Sequence, residues 1–231
     1  MLKAMLQNNI TNIIFSSSST VYGKPQFFPM TEDHPIGIPM SPYGNTKRQC
    51  EEILEAVANS NAEFCAISLR YFNPIGAHES RRIGENPSGI PNNLLPYITQ
   101  TVKGIRSQLT IFGNDYNTTD GTPIRDYIHV VDLAEAHTKA LNYMIEKQPK
   151  TGYEVFNLGT GKCYTVLQIV QAFEKATGKK VNYHIGPRRD GDVEKLCASH
   201  QKAKEKLHWE ANYTLEEMLL SAWEWELNKA K

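Results

Sequence analysis

The sequence predicts an α/β fold, and three observations predict it. Short apolar runs bounded by turn residues alternate with segments whose apolar positions recur at helical spacing. The first two runs, residues 11–15 and 63–71, flank a helical pattern at 43–59, the order of a parallel strand–helix–strand crossover. A hydrophobic fraction of 40% against 22% charged residues supplies enough apolar surface for a core in one large domain or two small ones.

Taken in order, residues 1–8 read as the end of a helix, with Leu2, Met5 and Leu6 at helical spacing and no cap before them. Residues 11–15 (TNIIF) suit a buried parallel strand that stops at the run Ser16-Ser17-Ser18-Ser19-Thr20. Pro25, Pro29, Pro35 and Pro39 make 22–42 an irregular loop. Ser41 can cap the next helix, and Pro42 suits its first position because its missing N–H has no partner to lose there. Tyr43 and Lys47 lie four apart on one face of that helix, and the face continues as Cys50, Leu54 and Val57. Arg48, Glu51, Glu52, Glu55 and Asn59 fall on the other side, so Tyr43 and Lys47 are expected to point toward the body of the protein. Residues 63–71 (EFCAISLRY) form a second buried strand, closed by Asn73-Pro74.

A loop rich in Gly, Pro and Ser follows at 76–91. Next come a helix at 92–103, a strand at 109–112 and a polar, turn-rich stretch at 113–123. A strand at 125–131 leads into a helix at 132–146. A strand at 153–158, a helix at 165–177 and a strand at 181–185 follow, then a loop at 187–192 and closing helices at 201–207 and 215–228. No repeat interrupts this order. Gly159-Thr160-Gly161 is the one near match to a phosphate-binding glycine loop. Tyr164 stands at its third glycine position and no carboxylate follows at the expected distance, so a plain turn is the better reading.

Lys+Arg and Asp+Glu both number 25, which gives no reason to expect nucleic acid or an acidic membrane as partner. No apolar run is long enough to span a bilayer, and no hydrophobic signal core opens the chain. Cys50, Cys65, Cys163 and Cys197 are far apart, with no CxxC pair and no paired histidines. They read as structural thiols in a reducing, cytoplasmic setting, with no metal site. His129, amid apolar residues, reads as structural, and Trp209, Trp223 and Trp225 as C-terminal packing.

A phenol is mostly protonated at neutral pH, so a tyrosine serving as base needs its anion stabilised. A lysine one helical turn away supplies the positive charge. A serine hydroxyl can donate to the phenolate and accept from a substrate; spacing alone does not choose among the four serines. By itself Tyr-x-x-x-Lys also fits a packed tyrosine and a snorkelling lysine. Arg125 also fits a surface ion pair, Arg188–Asp192 a solvated turn, and Asn93 a helix cap.

These segments resemble the UDP-glucose 4-epimerases of the extended short-chain dehydrogenase/reductase family. The resemblance rests on FSSSSTVYG (15–23), SPYGNTK (41–47), RYFNPIGA (70–77) and GIPNNLLP (89–96). IFGNDY (111–116), DGTPIRDYIHV (120–130), NLGTG (157–161) and PRRDGD (187–192) extend it in the family's order across nearly the whole chain. It implies the C-terminal part of a Rossmann-type doubly wound parallel sheet, carried by residues 1–75, plus a smaller α/β substrate-binding domain in 76–231, with 125–158 returning to the sheet. It further implies reversible epimerisation at C4 of UDP-glucose and UDP-galactose by transient oxidation with bound NAD. Tyr43 would be the base, Ser18 the relay and Lys47 the residue that favours phenolate and holds the nicotinamide ribose, with Phe72 packed near the nicotinamide. Asn73, Asn93 and Leu94 match the hexose–diphosphate region, and Thr110 and Phe112 the uracil strand. Arg125 and Arg189 match the diphosphate ligands, and Asp192 a ribose contact. Ser19 stands where the family usually has alanine. Leu196 stands where a tyrosine goes with glucose and galactose and a smaller residue with N-acetylated sugars. The family forms homodimers through the Tyr43 helix and its neighbour.

One part of the pattern is missing: no strand, glycine-rich turn and helix precede residue 11. The expectation from this gap is that the 231-residue chain is inactive or nearly so alone, binding UDP-sugar at most. Residues 11–15 are expected at an exposed sheet edge, with poor expression or aggregation following. A 4-epimerase of another UDP-sugar, an N-acetylhexosamine or pentose, is an enzymatic alternative; a dehydratase is disfavoured, because no acidic residue stands beside Ser18 in SSTVY.

Overall fold

The computed structural model describes residues 1–147 and 152–229. In chain order the elements are α1 (Leu2–Gln7), β1 (Asn12–Ser18), a 3-10 turn (Ser19–Tyr22), α2 (Pro42–Ser60), β2 (Cys65–Tyr71), β3 (Asn73–Ile75), α3 (Leu94–Val102), β4 (Leu109–Phe112) and β5 (Ile124–His129). Then follow α4 (Val130–Lys147), β6 (Tyr153–Leu158), β7 (Cys163–Thr165), α5 (Val166–Thr177), β8 (Tyr183–Gly186), α6 (Gln201–Leu207) and α7 (Leu215–Asn228). The α/β reading holds, and the order of long elements is the one the sequence periodicity gives. The short strands β3 and β7 are the strands that periodicity missed, since three residues carry no period.

The chain divides into two compact units. The first comprises Met1–Phe72, Ala134–Leu158 and Ala198–Glu210. Its sheet is parallel throughout, in the order β1-β2-β6. The central strand β2 is buried along nearly its whole length, whereas β1 lies at the sheet edge and is only half-buried through Ile13, Ile14 and Phe15. One apolar cluster joins Leu54 and Ala58 of α2 to Phe64 and Ala66, with Leu2, Met5, Phe15 and Tyr153 packed against it. Strand β1 does not stop at the serines; it runs through Ser18 because bonds from α2 and β2 occupy polar groups of Ser16 and Ser17.

The buried face of α2 also differs from the helical-wheel expectation. Gly44, Glu51, Leu54 and Ala58 are buried, while Tyr43 and Cys50 are exposed. The wheel sorted Glu51 with the solvated charges. The fold turns it inward because Arg70, on the buried strand β2, requires a partner there.

The second unit comprises Asn73–Leu133, Gly159–Cys197 and Ala211–Lys231. It holds β3 parallel to β5, with β7 antiparallel on β5, and a separate parallel pair, β4 with β8. Ile98, Ile111, Tyr127, Phe173, Leu219 and Trp223 form the centre of its core. Thr165 and Thr214 open α5 and α7 with reciprocal capping boxes, which is why both helices begin where their sequences place them.

The cysteine expectation is corrected in this unit. Cys163 and Cys197 form a disulfide, with Cα atoms 5.9 Å apart. Both segments pair with β5: β7 through its antiparallel ladder, and residues 194–196 through hydrogen bonds to and from Ile124. Cysteines 34 residues apart in sequence are thereby brought face to face. Cys50 and Cys65 remain free thiols. Among the described residues, no helix is long and apolar enough to cross a membrane.

Candidate active site

In the first unit, Ser41 caps α2 by accepting a hydrogen bond from Gly44 N–H at 3.1 Å, so the helix starts where Ser-Pro directs it. A Cβ on Gly44 would approach the carbonyl oxygen of Thr20 to 2.9 Å, so glycine lets this first turn sit close on the turn that follows the serines. Lys47 Nζ donates to Ser16 O at 2.9 Å and stands 5.5 Å from the centre of the Tyr43 ring. Tyr43 itself is 56% exposed, and its phenol makes no hydrogen bond among the described residues.

The structure distinguishes the serines that spacing could not. Ser16 gives its carbonyl to Lys47 and its hydroxyl oxygen to Tyr71. Ser17 donates to the buried Glu51 carboxylate. Ser18 accepts from Thr20 N–H at 3.2 Å and from the Thr20 hydroxyl at 2.9 Å. Both lone pairs of Ser18 are then engaged, and its own O–H is left to donate. Tyr71 also meets His137 Nε2 at 2.5 Å, and burial pushes its phenol above the usual tyrosine range. Phe72, 5% exposed, closes the strand through an N–H bond to Leu158 O.

Sequence reasoning missed the buried network beneath these groups. Glu51 accepts from Arg70 Nη2 at 2.6 Å and Nε at 3.0 Å. The Arg70 guanidinium lies 4.7 Å from the centre of the Tyr22 ring, whose hydroxyl donates to Asn157 at 2.7 Å. Burial pushes the Tyr22 phenol up to about 12 despite Arg70. The available signal was Arg70 itself, since an arginine in an apolar strand must be paired inside.

The second unit contains a cavity of about 460 Å³. Asn73 and Asn93 line it with Leu94; Thr110 and Phe112 line it from β4; Arg125, Arg189 and Asp192 complete the polar part. The Arg125 guanidinium forms an ion pair with Asp192, both side chains being 10% exposed. The adjacent Asp126 is engaged elsewhere, so the simple Arg125–Asp126 surface pair is not what forms. Arg189 is 59% exposed, lies 3.6 Å from Asp192 Oδ2, and places its guanidinium 5.6 Å from the Phe112 ring centre. Asn93 stands at the N-cap of α3 without a side-chain cap bond; its amide donates to Glu85 at 2.7 Å. Chemically the cavity offers two guanidinium groups, a carboxylate, an aromatic edge and several hydroxyl or amide groups.

Leu196 is buried and bonded through its N–H to Ile124 O; it is not among the residues that line the cavity. The N–H groups of Thr160 and Gly161 both donate to the buried Asp126 carboxylate, at 2.8 and 2.9 Å. That turn therefore has its donors occupied, as a plain turn would. His129 is structural: Nδ1 accepts from Val131 N–H, and its ring stacks on Tyr213 at 3.9 Å. Burial pushes its imidazole down to about 4.

Comparison with known proteins supplies an independent finding. The family model described as GDP-mannose 4,6 dehydratase matches residues 1–221. The chain is 51% identical over 226 residues to a Drosophila melanogaster UDP-glucose 4-epimerase, covering 98% of this chain and 64% of that protein. It is 51% identical over 224 residues to the Bacillus subtilis UDP-glucose 4-epimerase, covering 97% and 65%. It thus spans about two thirds of the length of these relatives. Among solved structures it is similar to the Bifidobacterium longum UDP-glucose 4-epimerase in complex with NAD+ and UDP. That match has 44% identity and a TM-score of 0.94, with 99% of this chain and 67% of that one covered. It is also similar to the Campylobacter jejuni UDP-Glc/GlcNAc 4-epimerase, at 36% identity and a TM-score of 0.78, covering 98% and 67%.

Proposed function

The chain belongs to the GDP-mannose 4,6 dehydratase family, among its UDP-glucose 4-epimerases, and from that membership we propose that it acts in the reversible interconversion of UDP-glucose and UDP-galactose at C4. The observation that most supports this reading is that one cavity collects Asn73, Asn93, Leu94, Thr110, Phe112, Arg125, Arg189 and Asp192, the residues that the resemblance matches to UDP-sugar ligands. Arg125 and Arg189 take the diphosphate oxygens, where guanidinium forks suit phosphate geometry. Asp192 accepts from a ribose hydroxyl, Thr110 and Phe112 flank the uracil, and Asn73 and Asn93 hold the hexose end beside Leu94.

Tyr43 takes the proton of the sugar 4-OH. It does so as the phenolate and becomes a phenol; before that transfer Ser18, with its lone pairs engaged by Thr20, donates its O–H to the phenolate, and the Lys47 ammonium stands 5.5 Å from the ring centre. NAD, when bound, supplies the acceptor and then the donor of the C4 hydride. Ser18, Tyr43, Lys47 and Phe72 would stand at its nicotinamide end, at the carboxyl ends of the parallel strands β1 and β2. The Thr160–Gly161 turn does not fit its phosphates, because Asp126 already occupies the donors. Exposed Leu6 on α1 and Ile53 on α2 support the homodimer that the resemblance implies.

Calorimetric titration with UDP, and conversion of UDP-galactose in the presence of NAD, test the reading. Saturable UDP binding that weakens in Arg125→Ala is expected; no binding would sink it. Binding without turnover is the second reading. A purified chain that binds UDP yet neither retains NAD nor converts UDP-galactose would select it. The same assay with UDP-N-acetylglucosamine reads the substrate range left open by Leu196.

A further inference from the structure

We propose that Glu51 is the positioning residue of the Tyr43–Lys47 pair: its buried carboxylate fixes the roll and axial setting of α2 on β1, and so decides where the phenol and the ammonium stand. The proposal rests on reading that pair as the proton-handling groups.

Tyr43 is exposed and its phenol makes no hydrogen bond among the described residues. A side chain held in that way is placed by its backbone alone, hence by whatever anchors its helix. Tyr43, Lys47 and Glu51 are spaced by four, and successive turns of α2 grip successive residues of β1: Lys47 holds Ser16 O and Glu51 holds the Ser17 hydroxyl. The two grips differ in stiffness. Lys47 is a long, flexible side chain that could follow a shifted helix. Glu51 is 3% exposed and bound by Ser17 and by two nitrogens of Arg70, so it cannot follow. Arg70 is fixed in turn against Tyr22, and Tyr22 by Asn157 of β6. The carboxylate therefore ties α2 to β1 and β2 at once, and the β1 residue it holds directly precedes Ser18. Neutralising Arg70 alone would require no bond to Ser17.

Three variants separate positioning from charge neutralisation: Glu51→Gln, the double variant Glu51→Gln/Arg70→Met, and Ser17→Ala. Loss of one partner of a buried pair can unfold a protein, whereas replacing both is often tolerated. Ser17→Ala removes one hydroxyl and leaves the ion pair in place. The readout is the set of Tyr43 ring resonances in the ring-labelled full chain, assigned with Tyr43→Phe, alongside the melting temperature. In Ser17→Ala and in the double variant the melting temperature is expected to stay near the parent's while the Tyr43 resonances move toward those of an unstructured tyrosine. Parent-like Tyr43 resonances in either folded variant would overturn the proposal, since Glu51 would then serve only to neutralise Arg70. Wherever turnover is measurable, the same variants are expected to lower kcat by up to about 100-fold at constant KM. Failure to bind UDP or to turn over bears on the proposed function and leaves the Tyr43 resonance test standing.

Discussion

The two units bury charged pairs to opposite ends. In the second unit the buried pair Arg125–Asp192 lines the cavity, and its members are themselves candidate ligands. In the first unit the buried pair Arg70–Glu51 touches only protein, and the candidate reactive group, Tyr43, stands in solvent. A diphosphate bound in the second unit as proposed would compete with or share an existing ion pair. In the first unit the ion pair is scaffolding under an exposed side chain. Desolvated charge is costly wherever it occurs, and each pair offsets that cost by its own attraction and hydrogen bonds; the proposed roles, ligand capture in one unit and helix placement in the other, are what set the pairs apart.

Removing the cross-link should test most strongly whether the second unit depends on more than its core. Serine at Cys163 or Cys197 opens a loop of 34 residues in the unfolded-state constraint, and about 3–4 kcal/mol of stability should go with it. Urea unfolding with and without a dithiol reductant measures the loss. An equal loss in a variant that already lacks the disulfide would contradict the assignment.

Histidine 129 sharpens the contrast through pH. Its imidazole titrates at about 4 in the fold, below the ~6.5 of an unfolded histidine. The unfolded state binds the proton more readily, so this contribution is complete above ~6.5 and is lost as pH falls toward 4, up to about 3 kcal/mol. Unfolding free energies measured from pH 7 to pH 4 should show a steeper decline for the parent than for His129→Gln.

The cavity charges come next in size. Arg125→Ala should weaken UDP binding by about 10–100-fold, the worth of a charge-assisted contact to phosphate. Arg125→Lys should recover part of that, losing the bidentate fork while keeping the charge. Titration calorimetry reads both. UDP affinity insensitive to either change would mean the paired arginine is scaffolding after all, and the contrast between the units would collapse. The smallest expected effect is Ser41→Ala, about 1 kcal/mol from a lost helix cap, visible as a lower melting temperature with unchanged UDP affinity.

The legible parts of the molecule were those with a local cause. Helical spacing placed α5 and α7 closely, and continuous apolar runs placed β2 and β6. The candidate cavity residues were legible through motif resemblance, because each motif is contiguous even though the cavity is not. The helical wheel failed at Glu51, since in sequence it stands with Arg48, Glu52 and Glu55 and nothing local marks it as different. Its partners Ser17 and Arg70 lie 34 residues before and 19 after it. The disulfide was missed for the same reason: widely spaced cysteines carry no pairing signal until two strands bring them together.

What the sequence determined alone was the alternation of strands and helices, the capped start of α2 at Ser41-Pro42, and the Tyr43–Lys47 spacing, all consequences of backbone geometry over a few residues. Tertiary structure decided which serine does what, which way α2 faces, that Cys163 meets Cys197, and that residues from Asn73 to Asp192 share one cavity. Those outcomes depend on which distant groups must be satisfied when charge and hydroxyls leave water. A local pattern does not encode that choice; the packed strands do.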